Sequence, residues 1–276
     1  MAVFSFRSPA KVNLFLSIEG RRKDGYHSLN SLFQTLSLSD TLAISPAASD
    51  QLTANRADLP CDSSNLICQA LSLMRERASF PPVHIHLEKN IPMQAGLGGG
   101  SSNAATTLFA LNHIFNLQIS EAELRQIGAY LGSDVPFFFS SGTALCQGRG
   151  DEVRSLTPLE EQKLWVVKPS FGLSTPAVYR ALKVDDLPKR DVTKALQDWQ
   201  TGSLALFNDL ERPALELAPS LSRLKAHLEA QGASCQLSGS GSAFFYFSPH
   251  RLSLTPELQS AKQFQTSFLN RKALWY

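Results

Sequence analysis

Pro92-Met93-Gln94-Ala95-Gly96-Leu97-Gly98-Gly99-Gly100-Ser101-Ser102 is the stretch that decides how this chain is read, because it joins a readable strand to a readable helix. On its N-terminal side Val83, Ile85 and Leu87 alternate with His84 and His86, the period of two expected of a strand with one buried face. On its C-terminal side Ala104, Leu108, Leu111 and Phe115 recur at spacings of four, three and four, the stripe of an amphipathic helix. Four glycines in five positions remove the Cβ atoms that would hold a ligand off the backbone. The first amides of a helix also lack partners inside it, so the junction is a candidate phosphate site. Ser101 and Ser102 are placed to cap the helix or to add hydroxyl donors. A flexible connection between two packed elements is the plainer alternative.

The spacing excludes two common phosphate loops. No lysine followed by Ser or Thr closes the run, so it is not a loop of Walker type. Ser101 stands where the third glycine of G-x-G-x-x-G belongs, so the dinucleotide pattern is missed by one position. What remains, P-x-x-x-G-L-G-G-G-S-S opening a helix, resembles the phosphate loop of the GHMP kinases, the family of galactokinase, homoserine kinase, mevalonate kinase and phosphomevalonate kinase. The resemblance implies that Pro92 to Ser102 wrap the triphosphate of ATP. The usual loop of that family has glycine where this chain has Gln94, whose side chain would crowd the nucleotide or add a contact to it.

Two further motifs of the family are then expected. In Ser8-Pro9-Ala10-Lys11-Val12-Asn13-Leu14-Phe15-Leu16 the alternation of Val12, Leu14, Leu16 and Ile18 puts Lys11 and Asn13 on one strand face. Periodicity alone favours a surface strand with an exposed lysine. The run resembles the first GHMP motif, which implies that Lys11 reaches the substrate hydroxyl and the transferring phosphoryl group. Leu237-Ser238-Gly239-Ser240-Gly241-Ser242-Ala243-Phe244-Phe245 reads by itself as a tight turn between a helix and a strand. It resembles the third motif, implying that Gly239 and Gly241 line the substrate cleft and buttress the phosphate loop. Asp134, between a helix stop at Gly132 and the apolar run Val135 to Phe139, reads by residue type as a cap or turn. Gly132-Ser133-Asp134-Val135-Pro136-Phe137-Phe138 is similar to the family's G-A-D-V-P-F-F segment, whose aspartate faces the substrate hydroxyl; Ser133 replaces the alanine.

Asp24-Gly25-Tyr26-His27 narrows the resemblance to members of the family whose substrate carries a cytosine, on the non-mevalonate route to isoprenoid precursors. There Tyr26 and His27 are expected to meet the base and Tyr179 to sandwich it from the other side. An aromatic face stacks on a pyrimidine, and an imidazole or backbone group reads its hydrogen-bonding edge. Ser174-Thr175-Pro176 reads as a helix start capped by Thr175, with Tyr179 one turn in; Thr175 and Asn13 join the expected substrate site. Asn65 reads as a helix N-cap; by resemblance Asn65 and Lys89 lie at the adenine pocket. The resemblance thus implies a two-lobed α/β (α+β) fold with its site between lobes, and ATP-dependent phosphorylation of an alcohol on a cytidyl diphosphate sugar alcohol. ATP would be co-substrate with a magnesium ion (Mg2+), Lys11 would hold hydroxyl and γ-phosphate together, and Asp134 would accept or orient the hydroxyl proton. Another GHMP-type kinase, a non-catalytic nucleotide-binding protein on the same fold and, last, a NAD-dependent oxidoreductase are the alternatives.

With 276 residues, 43% hydrophobic and 18% charged, the chain is long enough for a sizeable core in two lobes, residues 1–150 and 151–276, divided near Gly148-Arg149-Gly150. A net charge of +2 from 26 basic and 24 acidic residues supplies no basic field for nucleic acid. Arg21-Arg22-Lys23, the one notable basic run, reads as a solvated loop before the Asp24-Gly25 turn. No apolar run is long enough for a bilayer, and no signal peptide is evident at the N-terminus. Cys61, Cys68, Cys146 and Cys235 form no C-x-x-C pair, so a reducing cytoplasm is the default. His84 and His86 read as the solvent face of their strand and not as a metal site. A capping box at Ser120-Glu121-Ala122-Glu123 opens another helix, and Pro219 to Gln231 reads as a helix stopped by Gly232. The tail is expected to hold one helix from Thr255-Pro256 and a short strand.

Overall fold

The computed structural model describes residues 2–203 and 205–276 as an α/β fold built on two sheets. Two long antiparallel strands, β1 (Phe4–Arg21) and β2 (His27–Pro46), form its spine. They turn at Asp24-Gly25, where Gly25 takes φ 87° and the Asp24 carboxylate accepts from the Tyr26 amide. There follow β3 (Gln51–Ala54), α1 (Leu66–Arg75), β4 (Val83–Glu88), α2 (Gly99–Ile114), α3 (Glu121–Leu131), β5 (Thr143–Gln147) and β6 (Glu152–Ser155). The rest of the chain supplies β7 (Lys163–Lys168), α4 (Thr175–Ala181), α5 (Val192–Gln200), β8 (Phe207–Asn208), α6 (Glu211–Leu217), α7 (Pro219–Glu229), β9 (Cys235–Leu237), β10 (Phe244–Tyr246) and β11 (Lys262–Ser267). The first sheet runs β3-β4-β2-β1-β8, with β5 added on β2 and β6 on β5; the second runs β11-β7-β10-β9.

The elements around the glycine loop form for the reasons their periodicity predicts. Val83, Ile85 and Leu87 of β4 are buried, while His84 and His86 face outward and both bond the Thr53 hydroxyl, at 2.7 and 2.8 Å. In α1 Asn65 caps the N-terminus by accepting from the Ile67 amide, and Ile67, Ala70, Leu71 and Met74 turn inward. Ser120 caps α3 through the Glu123 amide, and Gly132 ends it. Helix α2 departs from a simple stripe. Ser102 to Leu108 are all buried, because the helix lies between the first sheet and α1 and α3. A run of Ala, Ser and Thr there lets neighbours approach on every side. Phe115 is not on the stripe but at the C-cap, with its ring stacked on Phe80 at 5.0 Å.

Four expectations change. Gly148-Arg149-Gly150 is the hairpin between β5 and β6, not a linker; Gly148 at φ 66° and Gly150 at φ 99° supply the left-handed backbone such a turn requires. Residues beyond 150 also return to the first lobe: β6 and β8 join its sheet, and Trp275 stacks on Phe109 at 4.4 Å while donating to the Arg7 carbonyl. The small-residue turn from Ser238 to Ala243 connects β9 to β10, two strands of one antiparallel pair. The tail helix is a single 3-10 turn, Pro256–Leu258, before β11. Helices α5 and α6 occupy a stretch on which the sequence reading is silent. Among the described residues no helix is long and apolar enough to cross a membrane.

Candidate active site

Lys11 and Asn13 do share a face of β1, but that face is interior: Lys11 is 3% exposed and Asn13 1%. The surface-strand reading fails because both faces of β1 are covered, with every residue from Ser8 to Ile18 buried. A buried ammonium needs partners. Lys11 Nζ donates to Asn13 Oδ1 at 2.8 Å, lies 3.4 Å from Asp134 Oδ2 and stands 4.5 Å from the centre of the Phe33 ring. Asn13 donates onward to Ser31 Oγ at 2.8 Å, and Ser31 Oγ donates to the Phe15 carbonyl at 2.6 Å. The Asn13 amide is therefore engaged in holding the lysine. Asp134 keeps 32% of its side chain exposed, so the pair consists of a cation sunk in the wall and a carboxylate open to the cleft.

The glycine loop is fastened to both lobes. From the first, the Lys11 amide donates to the Leu97 carbonyl at 2.9 Å. From the second, Ser238 Oγ donates to the Gly96 carbonyl at 2.9 Å and the Ala243 amide to the Ala95 carbonyl at 3.1 Å. Gly98, at φ 67°, is the N-cap residue of α2, and no side chain caps the helix. Ser101 and Ser102 thus lie in the first turn and do not cap it; the Ser102 hydroxyl is buried and accepts from Ser8 at 2.9 Å. The amides of Gly99, Gly100 and Ser101 are left without acceptors in the helix. Gln94, at φ 50°, sends its side chain against Gly172 of the second lobe, where only a residue without Cβ leaves room. Pro92 and Met93 are half-buried at the start of the loop.

Asn65 and Lys89, expected at the adenine, are both engaged with the protein itself. Asn65 Oδ1 caps α1 and Nδ2 donates to the Pro60 carbonyl at 2.7 Å. Lys89 Nζ is buried against Asp40 at 2.6 Å, directly behind Gly99. Burial pushes its ammonium below the ordinary lysine range, and the Asp40 carboxylate opposes that shift.

A cleft of about 1170 Å³ runs from Gly96 and Gly98 past Lys11 and Asp134 to Tyr26, His27 and Tyr179. The His27 and Tyr179 rings are 5.2 Å apart at 31°, so His27 is the aromatic neighbour of Tyr179. Tyr26 lies on the same cleft, 54% exposed, with the Arg149 guanidinium 5.1 Å from its ring. Burial, then the Arg21 charge, hold His27 below the ordinary histidine range. Burial, then the Asp134 carboxylate, push the Tyr179 phenol above its ordinary range. Thr175 does not cap α4: Ser174 is the N-cap residue, and the Thr175 hydroxyl pairs with Ser240 Oγ at 2.7 Å. Gly239 and Ser240 line the cleft, whereas a Cβ on Gly241 would meet Leu237 and Leu173. Sequence reasoning missed Arg21, which lines the cleft, and Arg149. The signal for Arg149 was a cation between two turn glycines, read only as a boundary.

A family model described as GHMP kinases N terminal domain matches residues 65–142. Over 100% of its length the chain is 45% identical to 4-diphosphocytidyl-2-C-methyl-D-erythritol kinase of Protochlamydia amoebophila, covering 94% of that protein. It is 39% identical to the kinase of the same name from Carboxydothermus hydrogenoformans, over 93% of this chain and 90% of that one. A crystal structure of 4-(cytidine 5'-diphospho)-2C-methyl-D-erythritol kinase superposes with a TM-score of 0.81 at 34% identity, covering 96% of this chain and 98% of its own.

Proposed function

Since this chain belongs to the 4-diphosphocytidyl-2-C-methyl-D-erythritol kinases of the GHMP kinase family, we propose that its cleft holds ATP and the cytidyl substrate end to end, with Lys11 and Asp134 at the junction. The protein is an ATP-dependent phosphotransferase. It phosphorylates the 2-hydroxyl of 4-diphosphocytidyl-2-C-methyl-D-erythritol, giving the 2-phosphate and ADP, in non-mevalonate isoprenoid precursor synthesis.

The observation that carries the assignment of roles is the Lys11–Asp134 pair, 3.4 Å apart on a cleft with the glycine loop at one end and Tyr26, His27 and Tyr179 at the other. Phosphoryl transfer needs a donor held in line and its developing charge neutralised. The free amides of Gly99 to Ser101 and the start of α2 supply fixed positive potential for the phosphates. Lys11, held by Asn13 and Phe33, bridges the attacking hydroxyl and the γ-phosphate, and Asp134 accepts or orients the hydroxyl proton. Magnesium keeps several waters and binds through one or two carboxylates plus phosphates, a donor set that Asp134 and a bound triphosphate fit; it would supply charge neutralisation. Tyr26, His27 and Tyr179 hold the base, and the neutral His27 ring reads its edge. Cys61, Cys68, Cys146 and Cys235 are free thiols, which supports a reducing compartment such as the cytoplasm.

The test is ADP release by the purified protein with ATP, magnesium and the cytidyl substrate, beside mevalonate, homoserine and galactose. Release with the cytidyl substrate alone is expected. Release with another alcohol would remove the base-binding role of Tyr26, His27 and Tyr179, and no release despite ATP binding would leave a nucleotide-binding protein without catalysis.

A further inference from the structure

Behind the phosphate loop lies a carboxylate that has no part in the steps above. Asp40, on β2 opposite Ser8, is 0% exposed. Its Oδ1 accepts the backbone amides of Asn90 and Ile91, each at 2.7 Å. Its Oδ2 accepts Lys89 Nζ at 2.6 Å and Asn103 Nδ2 at 2.9 Å. The donors belong to three pieces of the nucleotide site: the end of β4, the approach to the loop, and α2. Asn103 also donates to Ser8 Oγ at 2.8 Å, and Ser8 donates to Ser102 one residue back along α2. On its far side Lys89 Nζ stands 2.9 Å from where a Cβ on Gly99 would be, so the ammonium fills the space behind the first helical residue.

We propose that Asp40 is a positioning residue for the nucleotide. It fixes the N-terminal end of α2 against the approach to the loop, and so sets where the free amides of Gly99, Gly100 and Ser101 stand. The chemistry favours this over simple packing. An ionised carboxylate only accepts, and here both oxygens take two donors each. A neutral amide of the same size would keep one accepting oxygen for Asn90 and Ile91. Its NH2 would turn two hydrogens toward Lys89 and Asn103, which are themselves donors, so β4 and α2 would lose their common anchor. A buried ion pair is a poor source of net stability but is well suited to selecting one arrangement. Lys89 then acts on ATP from behind the loop, through Gly99, and not at the adenine.

The inference rests on the loop being the ATP site, so the experiment reads both ligands. The full-length wild-type protein, Asp40→Asn and Asn103→Ala are titrated calorimetrically with a non-hydrolysable ATP analogue and, separately, with the cytidyl substrate, and their kinetics are measured. Asp40→Asn should bind the ATP analogue about tenfold or more weakly, the size of losing a charge-assisted hydrogen bond, while cytidyl affinity stays within about twofold. Its KM for ATP should rise, with kcat at saturation of both substrates changed far less. Asn103→Ala, which keeps the Asp40–Lys89 pair, should shift the same constants in the same direction by less. Unchanged nucleotide affinity in folded Asp40→Asn, or parallel loss of both ligands, overturns the proposal. Should Asp40→Asn fail to fold, unchanged nucleotide affinity in Asn103→Ala overturns it instead. Failure of the wild-type protein to bind the analogue would remove the ATP site itself, a different result from a variant that binds normally.

Discussion

Replacing Gly96 with alanine should damage catalysis far beyond the conformational cost of the substitution. Gly96 holds φ 73°, and an alanine in left-handed backbone costs about 1–2 kcal/mol. The new Cβ would also stand 2.0 Å from the Ser238 carbonyl oxygen, while real Cβ contacts essentially never fall under 3.0 Å. Loop and turn must therefore separate by about 1 Å. That movement strains the Ser238–Gly96 and Ala243–Ala95 hydrogen bonds that seat the loop. Overpacking of this kind adds about 1–3 kcal/mol, and a displacement of about 1 Å at a reacting group lowers rate by about 10²-fold. Gly232, just past α7, is the control: it has φ 83° and nothing within 4 Å of its absent Cβ, so Gly232→Ala carries the conformational cost alone. Urea unfolding and steady-state kinetics on both variants separate the two contributions. Gly96→Ala should be the less stable by at least about 1 kcal/mol and lose about 10²-fold in kcat/KM for ATP, with Gly232→Ala kinetically normal. If Gly96→Ala matches Gly232→Ala in both measurements, the contact between loop and turn does not seat the nucleotide.

Three further outcomes are expected. Asp134→Ala should lower kcat by about 10²- to 10⁴-fold with little change in either KM; equal loss of binding would reduce Asp134 to shaping the pocket. His27 has a native pKa below its ordinary 6.5, so the unfolded chain takes up the proton first: stability falls as pH drops through 6.5 toward the depressed value and levels off beneath it. The fall in cytidyl affinity on acidification should accordingly be centred below pH 6.5, and Arg21→Met should move it upward; a fall centred on the ordinary value in both proteins refutes the role of the half-buried neutral ring. Asn65→Ala should cost about 1 kcal/mol through the lost cap and leave KM for ATP unchanged, whereas a raised KM at unchanged Tm would return Asn65 to the adenine.

What could be read from the sequence is what depends on near neighbours in the chain. The strand before the glycine loop, the helix after it, the Asn65 and Ser120 caps and the Asp24-Gly25 turn each follow from a few adjacent residues. The Lys11 face of β1 was legible too, but its burial was not, because Phe33, Ser31 and Leu97, which surround it, come from β2 and the loop. Gly241 and Gly239 look equivalent in the run from Leu237 to Phe245, yet the turn aims one at Leu173 and the other at the cleft. Asp40 carries no mark at all in Ser39-Asp40-Thr41: its four donors come from elsewhere in the chain and converge only in three dimensions. Arg149 had the opposite problem, since its glycine neighbours invited a linker and hid a side chain that reaches Tyr26.

The clasp of Ser238 on Gly96 closes over 142 positions of chain. Contacts that distant form late, because the entropy of closing the intervening chain must be overcome before they contribute. During synthesis, a growing chain therefore carries its strand, glycines and helix long before it has the surface on which the loop rests. In refolding, the far-ultraviolet signal of the helices should return ahead of the capacity to hold a nucleotide. Nucleotide binding should thus report on the docking of the Ser238 turn against the loop, and not on the formation of the loop's own strand and helix.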